Sequence, residues 1–197
     1  MHSTSSRISF FVLITMTFFL FVSLTANSNM IGDVDRDILD YIHGDMNNKF
    51  LDATAPVIQM MGDPHVYFAT CALLCAFGNE RMFETGKLSS AAFIESGFIA
   101  YALKKIVGRP RPPNYNLKET DSFPSGHVVL AFTIATVAGN QYPKLRAPLY
   151  IMAFGTAFSR VYLGRHYPSD VIAGAIIGTL VGVHATYLKG TILNISF

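Results

Sequence analysis

Charge is scarce in this chain. Only 14% of its 197 residues are Asp, Glu, Lys or Arg, while 51% are apolar. A soluble domain ordinarily carries about a quarter charged residues, so an ordinary water-facing globule is a poor reading, and the length suits one domain. The charged residues are bunched between apolar stretches, as in a bilayer-embedded protein. Basic residues form no long run and the net charge is +2, which argues against a nucleic-acid partner. Cysteine is nearly absent. Cys71 and Cys75 stand four apart in an apolar stretch, where a helix places them on one face without the close Cβ approach of a disulfide. Without a Cys/His cluster at metal-ligand spacing, the sequence implies no metal site and no cofactor.

What is abundant is apolar sequence, in six stretches: Ile8 to Ala26, Pro64 to Gly78, Leu88 to Val107, Val128 to Gly139, Ala147 to Leu163 and Val171 to Leu188. The first follows Arg7 and ends near Ala26 in small and polar residues. It reads either as a retained N-terminal transmembrane helix or as a signal peptide, residues 1–26 in both cases. Pro64 to Gly78 is short for a bilayer and stops at the charged turn Asn79-Glu80-Arg81. Leu88 to Val107 is opened by Lys87 and closed by Gly108 to Pro113, where three prolines rule out a helix. Between Asn27 and Gly62 the apolar residues Ile31, Val34, Ile38, Leu39 and Ile42 fall at helical spacing among acids. That pattern reads as an amphipathic helix lying at the interface or as a solvated connector. The predicted fold is an all-α, polytopic membrane protein: a six-transmembrane-helix bundle with an interfacial amphipathic segment.

Six crossings put both termini on one side of the membrane. Arg7, Arg81, Lys87, Lys144, Arg146 and Lys189 then lie on that side, which the excess of positive charge makes cytoplasmic. The exceptions, Lys104, Arg109, Arg111, Arg160 and Arg165, fall together on the opposite side and need a functional cause.

Three clusters supply one. In the first, Lys104 and Arg111 are seven apart, but Pro110 and Pro112 force the chain out of the helix, so both side chains can turn toward one point. Arg111 offers a planar fork to phosphate oxygens and Lys104 a compact charge. A basic segment that merely anchors a helix among headgroups would look the same. In Pro124-Ser125-Gly126-His127, the serine is placed to cap the following helix and Gly126 leaves the backbone open to a ligand at a helix N-terminus, where anions bind. An incidental histidine beside a capped helix start is the plainer alternative. In the third cluster, Ser159-Arg160 leads to His166 and Asp170, with Pro168 suited to a helix first turn. Asp170 can bond one ring nitrogen of His166, fixing the tautomer and leaving the other nitrogen as a nucleophile. A buried Arg160–Asp170 ion pair is the structural alternative.

Together the clusters are far more specific than any one of them. A Lys, six residues, Arg-Pro; then Pro-Ser-Gly-His; then Ser-Arg, five residues, His, three residues, Asp: this pattern resembles the type 2 phosphatidic acid phosphatase family, whose site is shared with vanadium-dependent haloperoxidases. The resemblance runs from Leu88 to about Leu188, within a phosphatase domain expected to span residues 27–197 with its core motifs in 104–170. It implies metal-free hydrolysis of a phosphate ester through a phosphohistidine intermediate. By position, His166 would be the nucleophile, oriented by Asp170. His127 would be the acid that protonates the leaving alkoxide and then activates water. Lys104, Arg111 and Arg160, with Ser125 and the Gly126 amide, would hold the phosphoryl oxygens. Arg109 and Arg165 lie outside the pattern and are expected to meet substrate headgroup or bilayer phosphate.

Other polar residues carry less. Glu95 is expected to pair with a neighbouring helix, His65 and His184 to have interfacial or packing roles, and Asp63-Pro64 to cap and start a helix. His43 and His2 show no pattern. The expected activity is removal of a lipid phosphate or diphosphate at the outer leaflet. That places the protein as an integral membrane protein of a bacterial inner membrane, with its site facing the periplasm. Phosphatidic acid, phosphatidylglycerophosphate, undecaprenyl diphosphate and a lipid A phosphate all suit the motifs. A vanadate-dependent haloperoxidase suits a longer soluble protein instead. A non-catalytic headgroup binder or transporter would have no need of two histidines and a positioned Asp.

Overall fold

The computed structural model describes residues 29–46, 48–113 and 121–194, and these are mostly helical, with no strand among the described residues. The first apolar stretch, Ile8 to Ala26, lies outside them. Helix α1 (Asn29–Leu39) runs on into a π-helical turn, Asp40–Asp45, and α2 (Lys49–Ile58) into a 3₁₀ turn, Gln59–Gly62. Then come α3 (Pro64–Phe77), α4 (Glu80–Val107), α5 (Gly126–Gln141), α6 (Arg146–Tyr162), α7 (Pro168–Tyr187) and the short α8 (Lys189–Leu193).

Local chemistry explains most of the boundaries. Asp63 caps α3, its Oδ1 accepting from the amides of His65 (2.9 Å) and Val66 (3.2 Å), with Pro64 in the first turn as expected. Asn79 caps α4 by accepting from the Met82 amide at 3.0 Å. This cap moves the start of α4 ahead of the expected point: the acidic and basic residues after Asn79 are its first turns, and Lys87 sits inside a helix of 28 residues, donating to the Leu193 carbonyl at 3.0 Å. Gly108, at φ 59°, ends the helix in a left-handed conformation that costs glycine little. Ser125 stands at the N-cap of α5, but its side chain makes no capping hydrogen bond, contrary to the sequence expectation.

Helix α5 is the centre of the bundle, packed by α4, α6 and α7. Its Val128, Ala131, Phe132 and Ala135 join Ala153, Ala157 and Val161 of α6, while Val129 and Val137 join Leu88 and Ala92 of α4 and Ile177 and Val181 of α7. The α5–α7 contact is unusually close because Gly174, Gly178 and Gly182 form one stripe on α7. A Cβ at Gly178 would stand 2.2 Å from the Val129 carbonyl oxygen. Gly178→Ala must therefore push the two helices apart. The expected cost is about 2 kcal/mol, or roughly 4–8 °C in the thermal unfolding midpoint of detergent-purified protein. An unchanged midpoint would mean that the helices do not pack through this stripe.

Among the described residues, α7 alone is both long and apolar enough to cross a membrane by length and composition; α3 is apolar but has 14 residues. With 16 and 17 residues, α5 and α6 reach roughly 24 and 26 Å, short of a hydrocarbon core of about 30 Å. The six crossings read from the sequence are thus not six long apolar helices. The amphipathic segment also differs from expectation. Leu39 is buried with Asp35, whereas Val34 and Ile38 are exposed, so α1 turns an acid inward. α2 was not foreseen, and it holds Pro56 within its length.

Candidate active site

Three chain segments meet at one end of the bundle: the stretch after α4, the start of α5, and the corner between α6 and α7. The Ser125 amide donates to the Asp170 carbonyl at 3.1 Å, which ties the second segment to the third.

His166 sits in the corner just ahead of α7, with its side chain only 2% exposed. Its two nitrogens meet different surroundings. On one side, Arg111 Nη1 lies 3.3 Å from Nε2 and also donates to the Arg165 carbonyl at 3.0 Å. An arginine can only donate, so Nε2 faces it as a lone pair and the proton of the neutral ring belongs on Nδ1. On the other side, Nδ1 is 3.4 Å from Ser122 Oγ and 3.8 Å from Asp170 Oδ2. The direct His166–Asp170 hydrogen bond expected from their spacing is therefore too long to form. Ser122 stands between the pair instead and donates to Asp170 Oδ2 at 2.5 Å. Burial pushes the His166 pKa down to about 4, with Asp170 pulling upward and Arg160 and Arg111 downward.

The other expected residues lie close by. Lys104 Nζ donates to the Asp121 carbonyl at 2.8 Å, beside Ser122. Arg160 is buried and donates to Gln59 Oε1 at 2.6 Å; Arg165 reaches the same oxygen at 3.3 Å. The alternative Arg160–Asp170 pair is thus replaced by Arg109, whose Nη1 meets Asp170 Oδ1 at 2.8 Å. Arg109 is not turned to headgroups either, since its side chain is 12% exposed and also engages Asp35 at 2.6 Å. Ser125 Oγ is fully buried and has no hydrogen-bond partner among the described residues. A Cβ on Gly126 would meet open space. His127, 26% exposed, holds Nε2 3.9 Å from Asp63 Oδ2 and lies within electrostatic reach of Arg160 and His166.

Sequence reasoning missed four of these participants: Ser122, Asp35, Gln59 and the second carboxylate oxygen of Asp63. One signal was available, because Asp35 falls four after Ile31 and four before Leu39, inside the apolar stripe of α1. Ser122 and Gln59 have no such pattern. Away from the site, Glu95 pairs with His184 Nδ1 at 2.9 Å, as anticipated. Cys71 and Cys75 are both free, and among the described residues no three His, Cys, Asp or Glu side chains are grouped to hold a metal ion.

A helical bundle whose end gathers two histidines, a buried carboxylate and several cations has the composition of a phosphate-handling protein of the kind the motifs resemble. The chain belongs to the PAP2 superfamily, whose model matches residues 86–193. An undecaprenyl-diphosphatase of Sulfolobus acidocaldarius is 32% identical over 139 residues, 66% of this chain and 66% of that protein. A lipid A 1-phosphatase of Rhizobium johnstonii is 33% identical over 95 residues, 42% of this chain and 39% of the relative, so the match spans about two fifths of that protein's length. Among solved structures, a transmembrane PAP2 type phosphatidylglycerolphosphate phosphatase from Bacillus subtilis shares the fold. Its TM-score is 0.79 at 23% identity, over 93% of this chain and 98% of that one. LpxE of Aquifex aeolicus aligns with a TM-score of 0.65 at 28% identity, over 77% of this chain and 93% of its own.

Proposed function

We propose that this protein is an integral-membrane phosphatase. In this reading it removes a phosphate monoester or diphosphate from a lipid at the outer face of the membrane, without a metal, through a phosphohistidine. The observation that carries the reading is the polarity of His166: a buried imidazole whose Nε2 lone pair meets Arg111 while Nδ1 faces Ser122 and Asp170. In the first step, Nε2 attacks phosphorus, the P–O bond to the lipid breaks, and His127 gives its proton to the departing oxygen. Burial and Arg160 lower the His127 pKa to about 3 in the free protein, so this role requires the bound phosphate's negative charge to raise it. Water then attacks phosphorus while His127 takes a proton from it, and the P–N bond breaks, releasing inorganic phosphate and returning the lone pair to Nε2 of His166. Lys104, Arg111 and Arg160, the Ser125 hydroxyl and the Gly126 amide hold the phosphoryl oxygens, whose charge builds in the transition state. The contrast in exposure suits these roles, because the water-activating base needs solvent and the phosphoryl-nitrogen bond needs shelter from it.

The bundle surface supports a bilayer setting. Phe68, Phe77, Ile94, Phe98, Ile106 and Ile151 are all more than 60% exposed, an arrangement costly in water and favourable against lipid. That surface also disfavours the soluble haloperoxidase alternative. An apolar cavity of about 680 Å³ borders the Gln59 turn that reaches Arg160, lined by Ile58, Met61, Tyr67, Ile134 and Leu149 among others. In this reading it receives the lipid tail. The relatives named above act on lipid A and undecaprenyl diphosphate; phosphatidic acid and phosphatidylglycerophosphate suit the same chemistry. The distribution of basic residues supports a periplasm-facing site in a bacterial inner membrane.

The direct test is inorganic phosphate release by purified full-length protein from a panel of these four lipids. Activity should survive chelator and fall with vanadate, which adopts the bipyramidal geometry of the transferring group. A strict Mg²⁺ requirement would overturn the mechanism. A pH profile adds a second check. With the His166 pKa lowered to about 4, the imidazole is neutral and nucleophilic at all higher pH and is lost only as pH falls through that value. The acid limb of kcat/KM should therefore lie near pH 4 and keep its position with two substrates of different phosphate pKa. A substrate-independent limb near 6.5, where an ordinary histidine titrates, would show that the group that must be deprotonated is not an imidazole lowered by burial.

A further inference from the structure

Asp170 has more partners than a carboxylate that only steadies a histidine requires. Its Oδ1 accepts from Arg109 Nη1 at 2.8 Å, and its Oδ2 from Ser122 Oγ at 2.5 Å and the Tyr167 amide at 2.9 Å. Behind Arg109 stands a second carboxylate. Asp35 Oδ2 takes Arg109 Nη2 at 2.6 Å, while Ser169 donates its amide to Asp35 Oδ1 at 2.9 Å and its hydroxyl to Oδ2. Arg109 Nη1 also donates to Ser169 Oγ at 2.7 Å, and the Tyr167 ring covers the guanidinium at 4.2 Å. The side chains of Asp35 and Asp170 are 4% and 0% exposed.

Two carboxylates around one guanidinium leave this buried cluster with a formal charge of −1. Arg109 alone would largely neutralise Asp170 as an ion pair. Asp35 competes for that positive charge, so Asp170 stays anionic toward Nδ1 of His166, where positive charge develops as Nε2 attacks. The guanidinium also bridges Oδ1, leaving Oδ2 directed at Ser122. A buried ion pair is weak evidence of stabilisation by itself, whereas this one aligns with the proposed nucleophile.

We propose, on the phosphatase reading above, that Asp35 and Arg109 are positioning residues: they hold Asp170 anionic and, through Ser122, keep His166 in its Nδ1–H tautomer. Helix α1, which precedes the residues matched by the superfamily, is thereby a working part of the catalytic unit. Neither residue touches substrate.

The test uses detergent-purified full-length protein and the variants Asp35→Asn, Arg109→Lys and Ser122→Ala. Lysine retains charge but cannot bridge two carboxylates and a hydroxyl. Each variant should lower kcat roughly 10–100-fold, the loss typical when a partner that orients a functional side chain is removed, with KM within about twofold. Vanadate and inorganic phosphate binding, measured by calorimetry, supply a readout independent of turnover. Vanadate bonds to Nε2 and should bind about tenfold or more weakly in the variants, whereas phosphate, gripped by the cations, should not change. A variant that merely destabilises the bundle would lower the active fraction and leave both affinities intact, and that result overturns the proposal. So does a rise in KM at constant kcat, which would return Arg109 to headgroup contact. If wild-type protein releases no phosphate from any lipid, the phosphatase reading fails on its own; the vanadate-to-phosphate ratio still decides whether the clamp tunes His166.

Discussion

Replacing His166 by alanine should cut phosphate release by on the order of 10⁴–10⁶-fold, the scale of losing a covalent nucleophile. Little else at this position could serve as the nucleophile. His166 is buried, its Nε2 faces Arg111, and its Nδ1 side is closed by Ser122 and Asp170. Wild-type protein quenched in mid-turnover should carry phosphate bound to His166, identifiable by its acid lability and alkali stability, and the variant should carry none. Release that survives the substitution, or label found on another residue, would reject the assignment. Thermal unfolding of the variant separates loss of chemistry from loss of fold.

The second large effect concerns His127, and its size should depend on the substrate. As general acid, His127 matters most where the departing group is a poor one, so His127→Ala should lower turnover of a lipid monoester by about 10²–10⁴-fold. With a diphosphate the departing group is itself a phosphate, a far weaker base than an alkoxide, and protonation assists it less. Loss in the first step should then be small. The second step still needs a base for water, so phosphorylated His166 should accumulate on diphosphate substrates in this variant. An equal loss on both substrate types without accumulation would remove His127 from both roles.

Much of this site is legible from residue order alone. Lys104, Arg111, Ser125, Gly126, His127, Arg160, His166 and Asp170 stand at spacings that already suggest one anion site. The reason is physical: prolines and glycines at 108, 110, 112, 124 and 126 interrupt the helices at the points where these side chains must turn toward a common centre. Helix type was legible for the same reason, since long apolar runs bounded by such breakers have few other solutions. The number of crossings was less so. Hydropathy registers how apolar a stretch is, but α4 draws its first turns from charged residues beyond its apolar part, and the Asn79 cap that permits this is a local geometric matter.

The partners of Arg109 and Ser122 were misread or unseen for a different cause. A guanidinium near a membrane surface suits a lipid phosphate as readily as a buried acid, and which one it meets depends on whether another helix supplies that acid. Here α1 does, through Asp35. In the same way, four-residue spacing allowed a direct His166–Asp170 bond, and a serine from a segment more than forty residues earlier occupies the gap instead.

By itself, the sequence determined that the chain is helical and membrane-suited, and it set cations and two histidines in a pattern whose family resemblance implies a phosphate site. Those properties follow from residue type and local backbone restriction, which need no partner from elsewhere in the chain. Only the tertiary structure decided which carboxylate answers which cation, which nitrogen of His166 is left as a lone pair, and that α1 closes the site from behind. Such pairings depend on distances between segments remote along the chain, and these are set by helix packing, above all by the glycine stripe that brings α7 against α5.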